Sequence, residues 1–80
     1  MKVEYKILNK KAHIPMRGSE ESAGYDLYAA LDKPIVIAPH NTEKIGTGLA
    51  FALPSGTAAL IFARSGLATK QGLRPANCVG

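Results

Sequence analysis

The chain holds one cysteine, Cys78, in 80 residues, so no internal disulfide can brace it. A lone thiol suits a reducing compartment, and the cytoplasm is the expected location. Long apolar runs are missing too. The first six residues already carry Lys2, Glu4 and Lys6, and nothing behind them approaches membrane-spanning length. Signal peptide and membrane span are set aside on that ground. Metal-ligating residues are sparse: His13 and His40 stand far apart and read as surface histidines. Helical periodicity is not sustained over even ten residues. Acidic residues number six against ten lysines and arginines, for a net charge of +4. The excess lies in residues 1–18, where Lys2, Lys6, Lys10, Lys11 and Arg17 are set against Glu4 alone. Such a patch attracts polyanions in general. No series of aromatic side chains alternates with it for base stacking, so a solvated strand face and loop are expected and nucleic acid is not.

Eighty residues make at most one domain, taken here as 1–80. A chain of this size buries only about 60% of the surface that its unfolded form exposes. With disulfides excluded and no metal cluster in view, self-association is the expected source of further stability.

What is present is strand-like. Val3, Tyr5 and Ile7 alternate with Glu4 and Lys6, a period of two that predicts a strand with one buried face. Leu8 to Ser22 is polar, contains Pro15 and Gly18, and reads as a long connection. Tyr25 to Ala30 and the β-branched Ile35-Val36-Ile37 are further strand candidates, ended by Asp32-Lys33-Pro34 and by Pro39. Gly46 and Gly48 predict a bulge or bend within Thr42 to Ala52. Leu49 to Ala63 reads as a hairpin turning at Pro54-Ser55-Gly56, with Leu49, Phe51 and Leu53 on one face and Ala59, Ile61 and Ala63 resuming the alternation. Strands at roughly 8–12 residue spacing predict an all-β sandwich or barrel. The one helix expected is Gly66 to Gln71, with Ser65 as N-cap and Gly72 as its stop.

Two segments carry chemistry. At Ala63-Arg64-Ser65-Gly66-Leu67-Ala68 a strand ends and a helix begins. A helix N-terminus offers backbone N–H groups and partial positive charge. Gly66 permits close approach of a phosphate, Ser65 adds a hydroxyl donor, and Arg64 adds a charged fork. The same tripeptide also makes an ordinary capped turn with Arg64 holding a carboxylate, and on residue chemistry alone that is the commoner outcome. The second segment is Ser22-Ala23-Gly24-Tyr25-Asp26-Leu27-Tyr28-Ala29. A carboxylate among these apolar neighbours must be paired, solvated or near a cation. Asp26 fits two roles, a turn residue bonded to nearby backbone or a holder of waters around a hard metal such as Mg²⁺.

Taken together, the segments resemble one family. Ala23-Gly-Tyr-Asp-Leu-Tyr-Ala29 is similar to motif one of the homotrimeric dUTPases (dUTP diphosphatases), and Pro54-Ser-Gly56 leading into Ile61-Phe-Ala-Arg64-Ser-Gly-Leu-Ala68 to motif two. Gly72-Leu-Arg-Pro-Ala-Asn77-Cys-Val-Gly80 resembles the approach to motif three. Order and spacing agree across essentially the whole chain. The dCTP deaminases share the architecture but carry a second serine where this chain has Gly66.

The resemblance implies an all-β fold, the first half of a jelly-roll of the β-clip type, with one short helix after Arg64-Ser65-Gly66. It implies hydrolysis of dUTP to dUMP and pyrophosphate, which supplies dUMP and keeps uracil out of DNA. Carried over by position, Arg64, Ser65 and Gly66 contact the phosphates, and Asn77 helps to fix the uracil. Asp26 orients waters of a Mg²⁺ held mainly by the triphosphate, and the family assembles as a homotrimer. The family pattern continues past the position of Gly80 with a water-activating aspartate, a sugar-packing tyrosine, motif four and a glycine-rich arm. The chain is therefore read as truncated within motif three, and as inactive by itself. The alternative is a non-catalytic remnant that binds phosphate or pairs with another protein. A basic nucleic-acid binder is the third reading, and it alone predicts steeply salt-dependent DNA binding.

Overall fold

A computed structural model describes residues 2–80, and these divide into two units. One is Glu4–Ala52; the other consists of Leu53–Gly80 with the residues before Glu4.

The first unit is built on a two-stranded antiparallel sheet. Strand β1 (Glu4–Ile7) pairs with β2 (Leu49–Ala52) in the register Glu4↔Ala52, Tyr5↔Phe51, Lys6↔Ala50 and Ile7↔Leu49. Side chains alternate between faces, so Tyr5, Ile7, Leu49 and Phe51 share one and Glu4, Lys6, Ala50 and Ala52 the other. The period-two pattern at the N-terminus therefore produces the expected strand. Its apolar face is not buried, however: Tyr5 and Ile7 are 47% and 52% exposed. Among the described residues no side chain is fully buried, and Val36 and Phe62 stand 92% and 76% open. A single two-stranded ribbon supplies one layer, and an apolar face is buried only by a second.

Gly48 fixes where β2 begins. Its φ is +70°, and a Cβ there would come within 2.8 Å of Asn9 Oδ1 and 2.9 Å of the Ala12 Cβ. Only glycine meets both demands. The Gly48 carbonyl accepts the Leu8 N–H at 2.7 Å, which continues the β1–β2 ladder, and the Gly46 carbonyl accepts the Ala30 N–H at 2.9 Å. The bend expected between Thr42 and Ala52 lies at Gly48.

Three expected elements come out differently. Tyr25–Ala30 is not a strand: only Asp26 makes a bridge, antiparallel to Met16. Ile35–Ile37 has no ladder either, although its residues favour one. β-Branched composition suits a pleated surface but does not supply a neighbouring strand. Prolines at 34 and 39 also remove two donors, and Ala38–Asn41 turns with Asn41 N–H on the Ala38 carbonyl at 3.1 Å. Finally, Leu49–Ala63 is not a hairpin. Pro54–Thr57 does form the turn, with Gly56 at φ +80° and the Thr57 N–H on the Pro54 carbonyl at 3.2 Å. A positive φ at the third position marks a type II turn, whose twist suits a hairpin poorly. The two sides find other partners: β2 takes β1, and Leu60 bridges Val79.

In the second unit, Ala59–Ile61 runs antiparallel to Cys78–Gly80 through Ile61 N–H to the Cys78 carbonyl at 2.8 Å and Gly80 N–H to the Ala59 carbonyl at 3.0 Å. Helix α1 (Ser65–Gln71) follows. Gly72 ends it in the left-handed conformation, φ 67°, and returns its N–H to the Ala68 carbonyl, as its position in the sequence predicts. No helix among the described residues is long and apolar enough to cross a membrane.

Candidate phosphate site

Arg64 is the hinge of the candidate site. Its backbone is extended, φ −74° and ψ 134°, and it occupies the N-cap position that the sequence reading gave to Ser65. Arg64 makes no side-chain cap hydrogen bond, and Ser65, whose hydroxyl would have served as a cap one position earlier, lies inside the helix. Ser65 and Gly66 become the first two helical residues instead, and both are exposed. The first intrahelical bond runs from Ala68 N–H to the Arg64 carbonyl at 2.9 Å. N–H groups ahead of it have no acceptor within the helix.

The space above this turn is open. A Cβ on Gly66 would meet nothing within 4 Å, and no acidic residue stands in the first turn of α1. Backbone amides, the Ser65 hydroxyl and the Arg64 guanidinium thus come from consecutive residues where extended backbone gives way to α1; the strand expected to lead into this turn is reduced to the bridge at Leu60. Oriented N–H groups with a planar guanidinium are matched to phosphate oxygens.

Asn77 lies in the same unit. Its Nδ2 donates to the Val79 carbonyl at 3.3 Å and its Oδ1 accepts the Val79 N–H at 3.4 Å. The side chain closes a local turn beside the Leu60–Val79 bridge, and a ligand amide would have to exchange with those bonds.

Asp26 belongs to the other unit. It is half-buried, and its backbone bonds Met16 in both directions, at 2.7 Å from its own N–H and 3.4 Å from that of Met16. Neither Asp26 nor Arg64 is without an interaction partner. Among the described residues no three His, Cys, Asp or Glu side chains gather as a metal cage. A cation at Asp26 would need most of its ligands from elsewhere. That donor set suits Mg²⁺, which keeps waters and uses few protein carboxylates, and does not suit a Zn²⁺ site.

The basic segment is only partly available to a polyanion. Lys11 Nζ pairs with Asp32 at 2.9 Å. Arg17 turns onto its own loop, donating from Nη2 to the Glu20 carbonyl at 2.7 Å and to the Ser22 carbonyl. Its guanidinium also stands 5.9 Å from the centre of the Tyr25 ring. Sequence reasoning counted Arg17 among the solvated charges and missed this arrangement. The available signal was its place in the Leu8–Ser22 connection that leads into the Asp26 segment. His13 and His40 are surface residues as expected; His13 stacks on Tyr28 with ring centres 4.0 Å apart.

Comparison with known proteins points one way. The family model described as dUTPase matches residues 10–77. A deoxyuridine 5'-triphosphate nucleotidohydrolase of Desulfitobacterium hafniense is 46% identical over 81 aligned positions, covering 100% of this chain and 54% of the relative. Its counterpart from Corynebacterium jeikeium is 48% identical over 73 positions, 91% of this chain and 46% of the relative. The solved structure of a mutant dUTPase from Staphylococcus bacteriophage 80alpha superposes with a TM-score of 0.77 at 27% identity, covering 99% of this chain and 57% of that one. The chain spans about half the length of the curated relatives it matches. The likeness assigns the present strands, bridges and single helix to part of an all-β jelly-roll.

Proposed function

The chain belongs to the dUTPase family, and from that footing we propose that it carries the phosphate-binding part of a dUTP diphosphatase site. The observation that supports this is the Arg64-Ser65-Gly66 step itself, with two exposed residues at the start of α1 and open space over Gly66. In this reading Arg64 forks onto phosphate oxygens, Ser65 donates its hydroxyl, and the first-turn amides receive the remaining charge. Asn77 orients the uracil by exchanging its Val79 bonds for bonds to the base. Water attacks the α-phosphorus, the bond to the bridging oxygen breaks, and dUMP and pyrophosphate result. Mg²⁺, when bound with the triphosphate, neutralises phosphate charge. Asp26 contributes by accepting hydrogen bonds from water in that ion's hydration shell. The family's homotrimeric assembly is part of the same proposal.

A polypeptide limited to these eighty residues binds phosphate without turning dUTP over. No carboxylate of residues 1–80 is assigned the role of general base in this reading, since the task of Asp26 with water on the metal makes it a poor one. A positioned base contributes about 10²–10⁴-fold to such a reaction. A non-catalytic phosphate-binding or protein-interaction module is the second reading, favoured by the exposed apolar face of β1 and β2.

Pyrophosphate release from dUTP separates them. It is measured for the 80-residue polypeptide and for the same polypeptide joined to the second half of the Desulfitobacterium relative. Turnover by the extended protein alone is expected. Comparable turnover by both would show that the base lies within residues 1–80, and none in either would favour the non-catalytic module.

A further inference from the structure

Arg17 lies in the loop between the bridged residues Met16 and Asp26, and its side chain is spent on that loop. The Ser22 N–H bonds the Ser19 carbonyl at 3.1 Å, the Ser19 N–H bonds Ser22 Oγ at 2.9 Å, and the two hydroxyls stand 3.1 Å apart. Arg17 reaches across this turn to the Glu20 and Ser22 carbonyls and covers the ring of Tyr25, the residue just before Asp26. Gly18 lies beside the carboxylate: a Cβ placed there would sit at ordinary contact distance, 3.7 Å from Ser22 Oγ and 3.9 Å from Asp26 Oδ2. One guanidinium thus ties the entry of the loop to its exit, and the carboxylate lies over the neighbouring glycine. One nitrogen, Nη2, bonds both carbonyls while the guanidinium carbon stands 5.9 Å from the centre of the Tyr25 ring, a combination of hydrogen bonding and cation–π contact to which arginine is suited.

We propose that Arg17 is a positioning residue: by closing the 16–26 loop it sets the direction in which Asp26 presents its carboxylate to metal-bound water. The inference rests on the reading of Asp26 given above, and its test keeps the two apart. Mn²⁺ with dUTP is titrated into the native 80-residue chain and into Arg17→Ala and Arg17→Lys. Paramagnetic broadening is followed at the Asp26 carboxyl carbon and, as a separate report on the phosphate cradle, at the Gly66 amide. Arg17→Ala loses the Asp26 broadening and keeps that at Gly66; Arg17→Lys, with one hydrogen-bonding head, recovers part of it. A loop that is merely less stable would not restore metal proximity on a conservative exchange. Equal broadening at Asp26 in native chain and Arg17→Ala overturns the proposal. If the native Asp26 is not broadened at all, its metal role fails, and the clamp is judged by amide exchange. Faster exchange of the Asp26 N–H in Arg17→Ala, with the Leu8 N–H unchanged, upholds Arg17 as the residue that orders Asp26. Unchanged exchange at Asp26 overturns that too.

Discussion

Replacing Gly66 with alanine should strengthen the helix and weaken phosphate binding, two effects of opposite sign from one methyl group. Gly66 is the second residue of α1, has no positive φ, and would offer a Cβ nothing to touch within 4 Å. The fold therefore has no use for glycine here. Glycine is about 0.8–1.0 kcal/mol less favourable than alanine in a helix interior, so the substitution should gain up to that amount. A bound phosphate would meet the methyl group. If the anion is held off the Gly66 amide, one charge-assisted hydrogen bond worth about 1.5–3 kcal/mol is lost. That is on the order of tenfold to a hundredfold in Kd. Calorimetric titration with pyrophosphate reads the binding, and far-ultraviolet circular dichroism reads the helix. Gly72→Ala is the control, since its φ of 67° strains any side chain and the helix stop should fail. Equal pyrophosphate affinity for native chain and Gly66→Ala, with helix content kept, would refute the claim that phosphate approaches this backbone.

Gly48→Ala should disrupt the β1–β2 register, costing about 1–2 kcal/mol for the left-handed conformation alone before the contacts with Asn9 and Ala12 are relieved. Loss of exchange protection at the Leu8 N–H would report it, and retained protection would contradict it. Arg64→Ala should weaken pyrophosphate binding by about 1.5–3 kcal/mol if its bond to phosphate is charge-assisted, with native binding falling as salt is added; calorimetry at two ionic strengths decides this. The 80-residue chain should also self-associate, because Tyr5, Ile7 and Phe51 lie on an uncovered face and ribbon edges template pairing. Sedimentation showing one compact 8.5 kDa species at high concentration would contradict it.

The local features of this molecule were legible in its residues, and the long-range ones were not. Alternation at Val3, Tyr5 and Ile7 announces β1, and Pro54 and Gly56 announce a turn. Gly72 marks the end of α1 because a left-handed residue there costs glycine nothing. The partner of β2 lies more than forty positions away in sequence, and no periodicity within Leu49–Ala63 distinguishes a hairpin from two strands paired elsewhere. Asp26 reads as a strand residue from its apolar neighbours, whereas it makes a single bridge to Met16 at the far end of a loop in which Arg17 bonds the Glu20 and Ser22 carbonyls. At the candidate site, the residue types Arg64, Ser65 and Gly66 suit a phosphate but suit an ordinary capped turn more often, and it was the resemblance to the dUTPases that singled them out. Which of them would cap the helix did not follow, since that turns on whether the serine hydroxyl finds an N–H.

Chemical-shift mapping of the backbone amides during a titration with dUTP and Mg²⁺ tests the central claim most directly, since it asks where on the chain the triphosphate sits. The account predicts the largest changes at Ser65, Gly66 and Leu67, where first-turn amides have no acceptor within the helix, and their loss in Arg64→Ala. Changes confined to the basic segment from Lys2 to Lys11, unaffected by Arg64→Ala, would contradict it: the triphosphate would then be held by diffuse charge, and the Arg64-Ser65-Gly66 step would be an ordinary turn.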